Sequence, residues 1–167
     1  MTEQILVACI GNIFLGDDGF GVEVARELEQ TRLSSGVKVV DFGIRGLDMA
    51  YALLHPWQAV VMVDAIKRGG SPGTLYLMQP GDSSDAQPGL DPHDMDPVRV
   101  LKTARTLGEV NAELYIVGCE PKDFGDELEG RMGLSMQVQA AVPEAVSMVR
   151  EMVSRLEQRS THAYAGR

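Results

Sequence analysis

Apolar and polar positions fall into blocks that read, in turn, as strand, turn and helix. Ile5 to Ile10 is an unbroken apolar run of strand length, and the glycine-rich stretch Gly11 to Gly21 leads from it into helical spacing over Val22 to Gln30. Phe20, Val24 and Leu28 share one stripe of a helix spanning residues 18–29, as a helix packed on a sheet requires. Ser34-Ser35-Gly36 breaks that pattern, and Val37 to Val40 reads as a second strand ending at Asp41. A short helix over residues 47–54 stops before Pro56, because a residue preceding proline is pushed out of the α region. Ala59 to Val63 is apolar on both faces, the signature of a central strand covered on both sides, and ends at Asp64.

The connection from Ala65 to Pro72 is too short for a crossover helix, yet residues 73–78 read as another strand. A parallel return needs about a dozen residues, so this fourth strand is expected to run antiparallel to the third. Residues 79–92 carry no periodic pattern, and loops of that length are commonly functional. Beyond His93, Asp96 is placed as an N-cap, Pro97 as the first helical residue and Met95 with Val100 as a staple, which predicts a helix up to Gly108. Residues 112–118 form the fifth strand, and an acidic loop, Glu120 to Glu129, leads to a final helical region. There Val142, Val146, Val149 and Leu156 share a face, and Pro143 is expected to restart the helix after a short turn. The alternation predicts a three-layer α/β/α sandwich in a single domain over residues 1–157, with a frayed tail over 158–167.

With 167 residues and 44% hydrophobic content, the chain suits one core. Its net charge of −9 excludes a general nucleic-acid surface, which needs clustered lysine and arginine. No apolar run approaches the roughly 20 residues of a membrane span, and Met1 to Gln4 has no signal-peptide pattern, so a cytoplasmic protein without a membrane partner is expected. Two cysteines do not make a disulfide framework; Cys9 is expected as a free thiol in the core and Cys119 as one near a loop.

The chemistry concentrates at strand ends. The opening turn carries Asp17 and Asp18 and no lysine, so it would repel the phosphate that a helix N-terminus usually attracts and favours a cation instead. Ligands of an open α/β sheet lie beyond the carboxyl ends of its strands, which gathers Asp17, Asp18, Asp41 and Asp64 on one edge. The helix ahead of the fifth strand must run away from that edge, which brings His93 to it. One imidazole with two or three carboxylates and open positions suits zinc or nickel. Each residue also has a plainer role: Asp17 and Asp18 as caps, Asp41 in an Asx-turn into Gly43, Asp64 in turn stabilisation, and His93 as unremarkable as His55 and His162. Of the pair, one side chain is expected to cap the helix, which leaves the other to bind. No Ser-His-Asp arrangement is visible, and Cys119 has no histidine in its own segment to activate it.

Residues 10–22, Asp-Phe-Gly-Ile-Arg-Gly at 41–46, Val-Val-Met-Val-Asp-Ala at 60–65 with Pro72-Gly73-Thr74, Pro92-His93, and Gly-Cys-Glu-Pro at 118–121 together resemble the nickel-iron hydrogenase maturation endopeptidases. The resemblance covers about residues 4–157. It implies a five-stranded, mostly parallel mixed sheet in the order 2-1-3-5-4, with strand 4 antiparallel. It also implies metal binding and catalysis by Asp18, Asp64 and His93, which assigns Asp17 to capping, and substrate recognition at Asp41 and Gly43. The implied reaction removes a C-terminal peptide from the hydrogenase large-subunit precursor once nickel has been inserted. Nickel then arrives with the precursor, with zinc or cadmium able to stand in, and the enzyme is expected as a monomer. Phe42-Gly43 departs from the glycine pair common in that family, which bears on substrate choice. Two other readings stay open: a zinc aminopeptidase-like peptidase, and a nickel-binding assembly chaperone that does not cut. Flavodoxin-like nucleotide binding is opposed by the acidic turn.

Overall fold

A computed structural model describes residues 4–80, 96–126 and 128–165. Among them five strands and four helices alternate: β1 (Ile5–Ile10), α1 (Phe20–Glu29), β2 (Val37–Gly43), α2 (Gly46–Ala52), β3 (Ala59–Ala65), β4 (Leu75–Met78), α3 (Pro97–Leu107), β5 (Glu113–Cys119) and α4 (Met136–Ala165). The sheet order is β2-β1-β3-β5-β4. β1 runs parallel to both β2 and β3, β3 parallel to β5, and β4 antiparallel to β5. The short link after β3 could not carry the chain back for a parallel strand, and it delivers β4 to the far side of β5 instead.

Every residue of β1 and β3 is buried, because each strand is central and alternate side chains point to opposite faces. Ile5, Val7 and Cys9 meet Phe20, Val24 and Leu28 of α1 and Val142, Val149 and Val153 of α4. Leu6, Ala8 and Ile10 meet Met49 and Leu53 of α2 and Val100, Leu101 and Ala104 of α3. Two cores on either side of one sheet make the expected three layers. Asp96 caps α3 by accepting the Val98 N–H at 2.9 Å, with Pro97 in the first turn as predicted. Among the described residues no helix is long and apolar enough to cross a membrane.

Several boundaries differ from the sequence reading. The opening helix starts as a 3-10 turn, Gly16–Gly19, before α1 proper. β2 continues beyond Asp41, which pairs with Cys9 inside the ladder, and ends at Gly43 after a bulge between Cys9 and Ile10. β5 extends to Cys119, so this thiol is a buried strand residue and not a loop residue. Pro143 does not restart the last helix but lies inside α4. It is exposed, so the carbonyl it deprives of a helical donor is open to water and the helix tolerates it. The expected fraying from Gln158 is replaced by helix as far as Ala165, where Arg159 pairs with Glu113 of β5 at 3.2 Å.

Candidate active site

Two glycines seat the opening turn on the ends of the central strands. A Cβ at Gly21 would lie 2.1 Å from the Ile10 carbonyl oxygen and 2.6 Å from that of Val63, so α1 touches the ends of β1 and β3 as only glycine permits. At Gly11 a Cβ would lie 2.3 Å from the Asp18 carbonyl oxygen. The backbone of Asp18 is thereby pressed against the segment leaving β1. Its side chain accepts the Asn12 N–H at 3.2 Å.

Asp64, 3% exposed, stands one residue before the end of β3 and accepts the Ala65 N–H at 2.8 Å. Asp41, on the other side of β1, accepts the Gly43 N–H at 2.8 Å in an Asx-turn. That is the plainer of its two predicted roles, and Gly43 takes the φ of 54° that lets the turn close. Arg45 folds back over this turn and donates to the Asp41 carbonyl at 2.6 Å. Burial raises the pKa of the Cys9 thiol most, and the charges of Asp41, Asp64 and Glu29 push it further up. Asp18, Asp41 and Asp64 all lie at the carboxyl edge of the sheet, because β1, β2 and β3 run parallel and Asp18 packs on the segment leaving β1. His93 lies outside the described residues. Among the described residues alone, no group of three His, Cys, Asp or Glu side chains could hold a metal ion.

Asp17 caps nothing in its own helix. It is fully buried, and its carboxylate accepts the Ser135 N–H at 2.6 Å, the Ser135 hydroxyl at 2.9 Å, and the N–H groups of Lys122 at 2.8 Å and Asp123 at 3.3 Å. The expected cap is therefore a clasp on the loop between β5 and α4. Glu120 performs a similar task that the sequence reading missed. It accepts the N–H groups of Arg68 at 2.7 Å and Gly69 at 3.1 Å and the Tyr76 hydroxyl at 2.9 Å. Burial alone would raise its pKa, but donation from Arg68, Tyr76, Gly69 and Gly70 outweighs burial and holds it below the ordinary carboxylate range. An acid directly after an apolar strand is the signal that marked Asp64, and it could equally have marked Glu120.

Neither cysteine is prepared to attack a carbonyl. Burial, reinforced by the charges of Asp17 and Glu120, pushes the Cys119 thiol up to about 12, and Cys9 is wholly buried. Around the acidic edge the connecting loops expose large apolar side chains: Phe14 after β1, Ile44 after β2, and Met132 and Met136 before and at the start of α4. Leu15 bridges to Arg131, which draws the first of these loops against the last.

Comparison with known proteins bears on what such an edge does. A family model for the HycI hydrogenase maturation protease matches residues 22–152. The hydrogenase expression/formation protein HupD of Rhodobacter capsulatus is 30% identical over 154 residues, spanning 89% of this chain and 72% of HupD. This chain belongs to the hydrogenase maturation protease family. The hydrogenase 2 maturation protease of Escherichia coli K12 is 28% identical over 152 residues, covering 87% of this chain and 88% of its own. Among solved structures, the hydrogenase maturating endopeptidase HybD from E. coli superposes with a TM-score of 0.76 at 26% identity, covering 91% of this chain and 93% of HybD. The acids of this chain lie where an open α/β sheet presents its ligands.

Proposed function

We propose that this chain is an endopeptidase that removes a C-terminal peptide from the nickel-loaded precursor of a nickel-iron hydrogenase large subunit. The observation that carries the reading is the placement of Asp18, Asp41 and Asp64 at the carboxyl edge of a maturation-protease fold. Nickel enters as cargo of the precursor, and zinc or cadmium could stand in for it. Asp18 and Asp64 offer oxygen donors, and His93 would add an imidazole, which is the mixed set a nickel or zinc ion accepts. A bound ion of this kind supplies Lewis acidity at a scissile carbonyl. Asp41 and Gly43 form the turn proposed to read the substrate. The exposed apolar side chains around the edge favour a protein substrate over a free small peptide. We place the reaction in the cytoplasm, with the protease acting as a monomer.

The test is the mass of the large-subunit precursor, nickel-loaded or nickel-free, after incubation with the protein. Loss of the C-terminal peptide from the loaded form alone is expected. Equal cleavage of both forms would refute nickel gating, and an uncut precursor in both would leave an assembly chaperone as the better reading. Asp64→Asn or His93→Ala is expected to slow processing on the order of 100-fold. Full activity in either variant would remove that residue from the site.

A further inference from the structure

We infer that Asp17 is a positioning residue of this protease, setting the turn that carries Asp18 against the loop between β5 and α4; this rests on the function proposed above. Asp17 is fully buried and adjacent in sequence to Asp18, yet the four hydrogen bonds its carboxylate accepts among the described residues come from more than a hundred positions away. Its backbone joins the same seam, since its N–H donates to the Asp123 carbonyl at 3.3 Å. Gly16 N–H donates to the Arg131 carbonyl at 2.7 Å, and Arg131 N–H to the Phe14 carbonyl at 2.8 Å.

Both ends of the loop are held by one side chain. Lys122 and Asp123 follow β5, and Ser135 immediately precedes α4, so a single carboxylate fixes where the loop leaves the sheet and where it enters the helix. Between these ends lie the exposed Leu128 and Met132, with exposed Met136 just beyond. The loop thus offers apolar surface to a docked protein while its anchor is covalently joined to Asp18. In this arrangement the docked substrate and the acidic edge share one rigid reference. Burying a group that satisfies several main-chain donors at once is costly to alter, because each donor loses its partner together with the others.

Asparagine is the informative replacement. Its amide oxygen can take the place of the oxygen that faces Lys122, Asp123 and the Ser135 hydroxyl, but its NH2 group then confronts the Ser135 N–H across what was a 2.6 Å bond. The experiment measures kcat and KM for nickel-loaded precursor with wild type, Asp17→Asn and Ser135→Ala, at a temperature where circular dichroism shows each fully folded. Leu156→Ala, which opens the core near the opposite end of the sheet, is the control for lost stability. The expected result is a fall in kcat of about 10- to 100-fold for Asp17→Asn and a smaller fall, about two- to fivefold, for Ser135→Ala, with kcat of Leu156→Ala unchanged. Unchanged kcat in folded Asp17→Asn, with or without a higher KM, would overturn the proposal. So would an equal fall in Leu156→Ala.

Amide hydrogen exchange provides a readout independent of cleavage. Faster exchange at both Asn12 and Asp18 in Asp17→Asn, or in Ser135→Ala should Asp17→Asn not fold, is expected, whereas wild-type exchange at those amides refutes the coupling. A wild-type protein that leaves every precursor uncut would defeat the proposed function, and the exchange measurement would still decide the role of Asp17.

Discussion

Cys119 and Cys9 show how a residue's surroundings decide its chemistry. Both lie near the acidic edge, where a thiol could be mistaken for a nucleophile, but burial and neighbouring carboxylates keep each one protonated. Cys119→Ala is expected to process precursor within about twofold of wild type, and iodoacetamide should label neither thiol of the folded chain at pH 8 on the timescale that labels the unfolded one. The same shift makes stability depend on pH. The folded thiols hold their protons to higher pH than unfolded ones, so their stabilising contribution is complete below the unfolded value of 9.0 and is lost as pH rises through the folded value of about 12 for Cys119. Urea unfolding midpoints should therefore fall across that alkaline window, and Cys119→Ala should flatten the slope. A midpoint independent of pH there would contradict the assigned environment.

At the scale of elements, the site depends on how α1 meets the sheet. The helix can press on β1 and β3 only because Gly21 has no side chain, with carbonyl oxygens 2.1 and 2.6 Å from where a Cβ would stand. Gly21→Ala must push the helix away from the strand ends, and overpacking of this kind costs about 1–3 kcal/mol. The displaced element carries the turn with Asp17 and Asp18, so processing should fall in the fraction that remains folded, by more than the lost stability explains. Urea titration and a processing assay on the same preparation check both parts. The register of β2 matters in the same way: a bulge between Cys9 and Ile10 lets Gly43 reach the end of β1, which keeps the Asp41 turn on the edge and not inside the sheet.

Across the whole molecule, the carboxyl edge of the sheet combines acids with exposed apolar loops. Phe14 is 59% exposed and Met132 69%, and neither contributes to either core. Replacing both with serine should leave thermal stability within about 0.5 kcal/mol, because exposed side chains bury little on folding. If a folded precursor docks there, KM should rise about tenfold or more with kcat preserved. An unchanged KM would place the docking surface elsewhere on the molecule.

Much of this architecture was legible in the sequence, because local patterns bear directly on local structure. Unbroken apolar runs marked β1 and β3, the Asp96-Pro97 pair marked the start of α3, and the short link after Asp64 dictated an antiparallel β4. Strand-end placement was enough to put Asp18, Asp41 and Asp64 at one edge of the sheet, since parallel strands send their carboxyl ends to one side. Tertiary structure alone decided which groups the buried acids meet. Asp17 looked like a cap for its own helix, but its partners are Lys122, Asp123 and Ser135, and no local pattern reveals which distant donors will face a buried carboxylate. Glu120 and the burial of Cys119 were settled in the same way, by neighbours from β3, β4 and the opening turn. Sequence periodicity determines which face of an element is buried; only the packed chain determines which polar groups meet once it is.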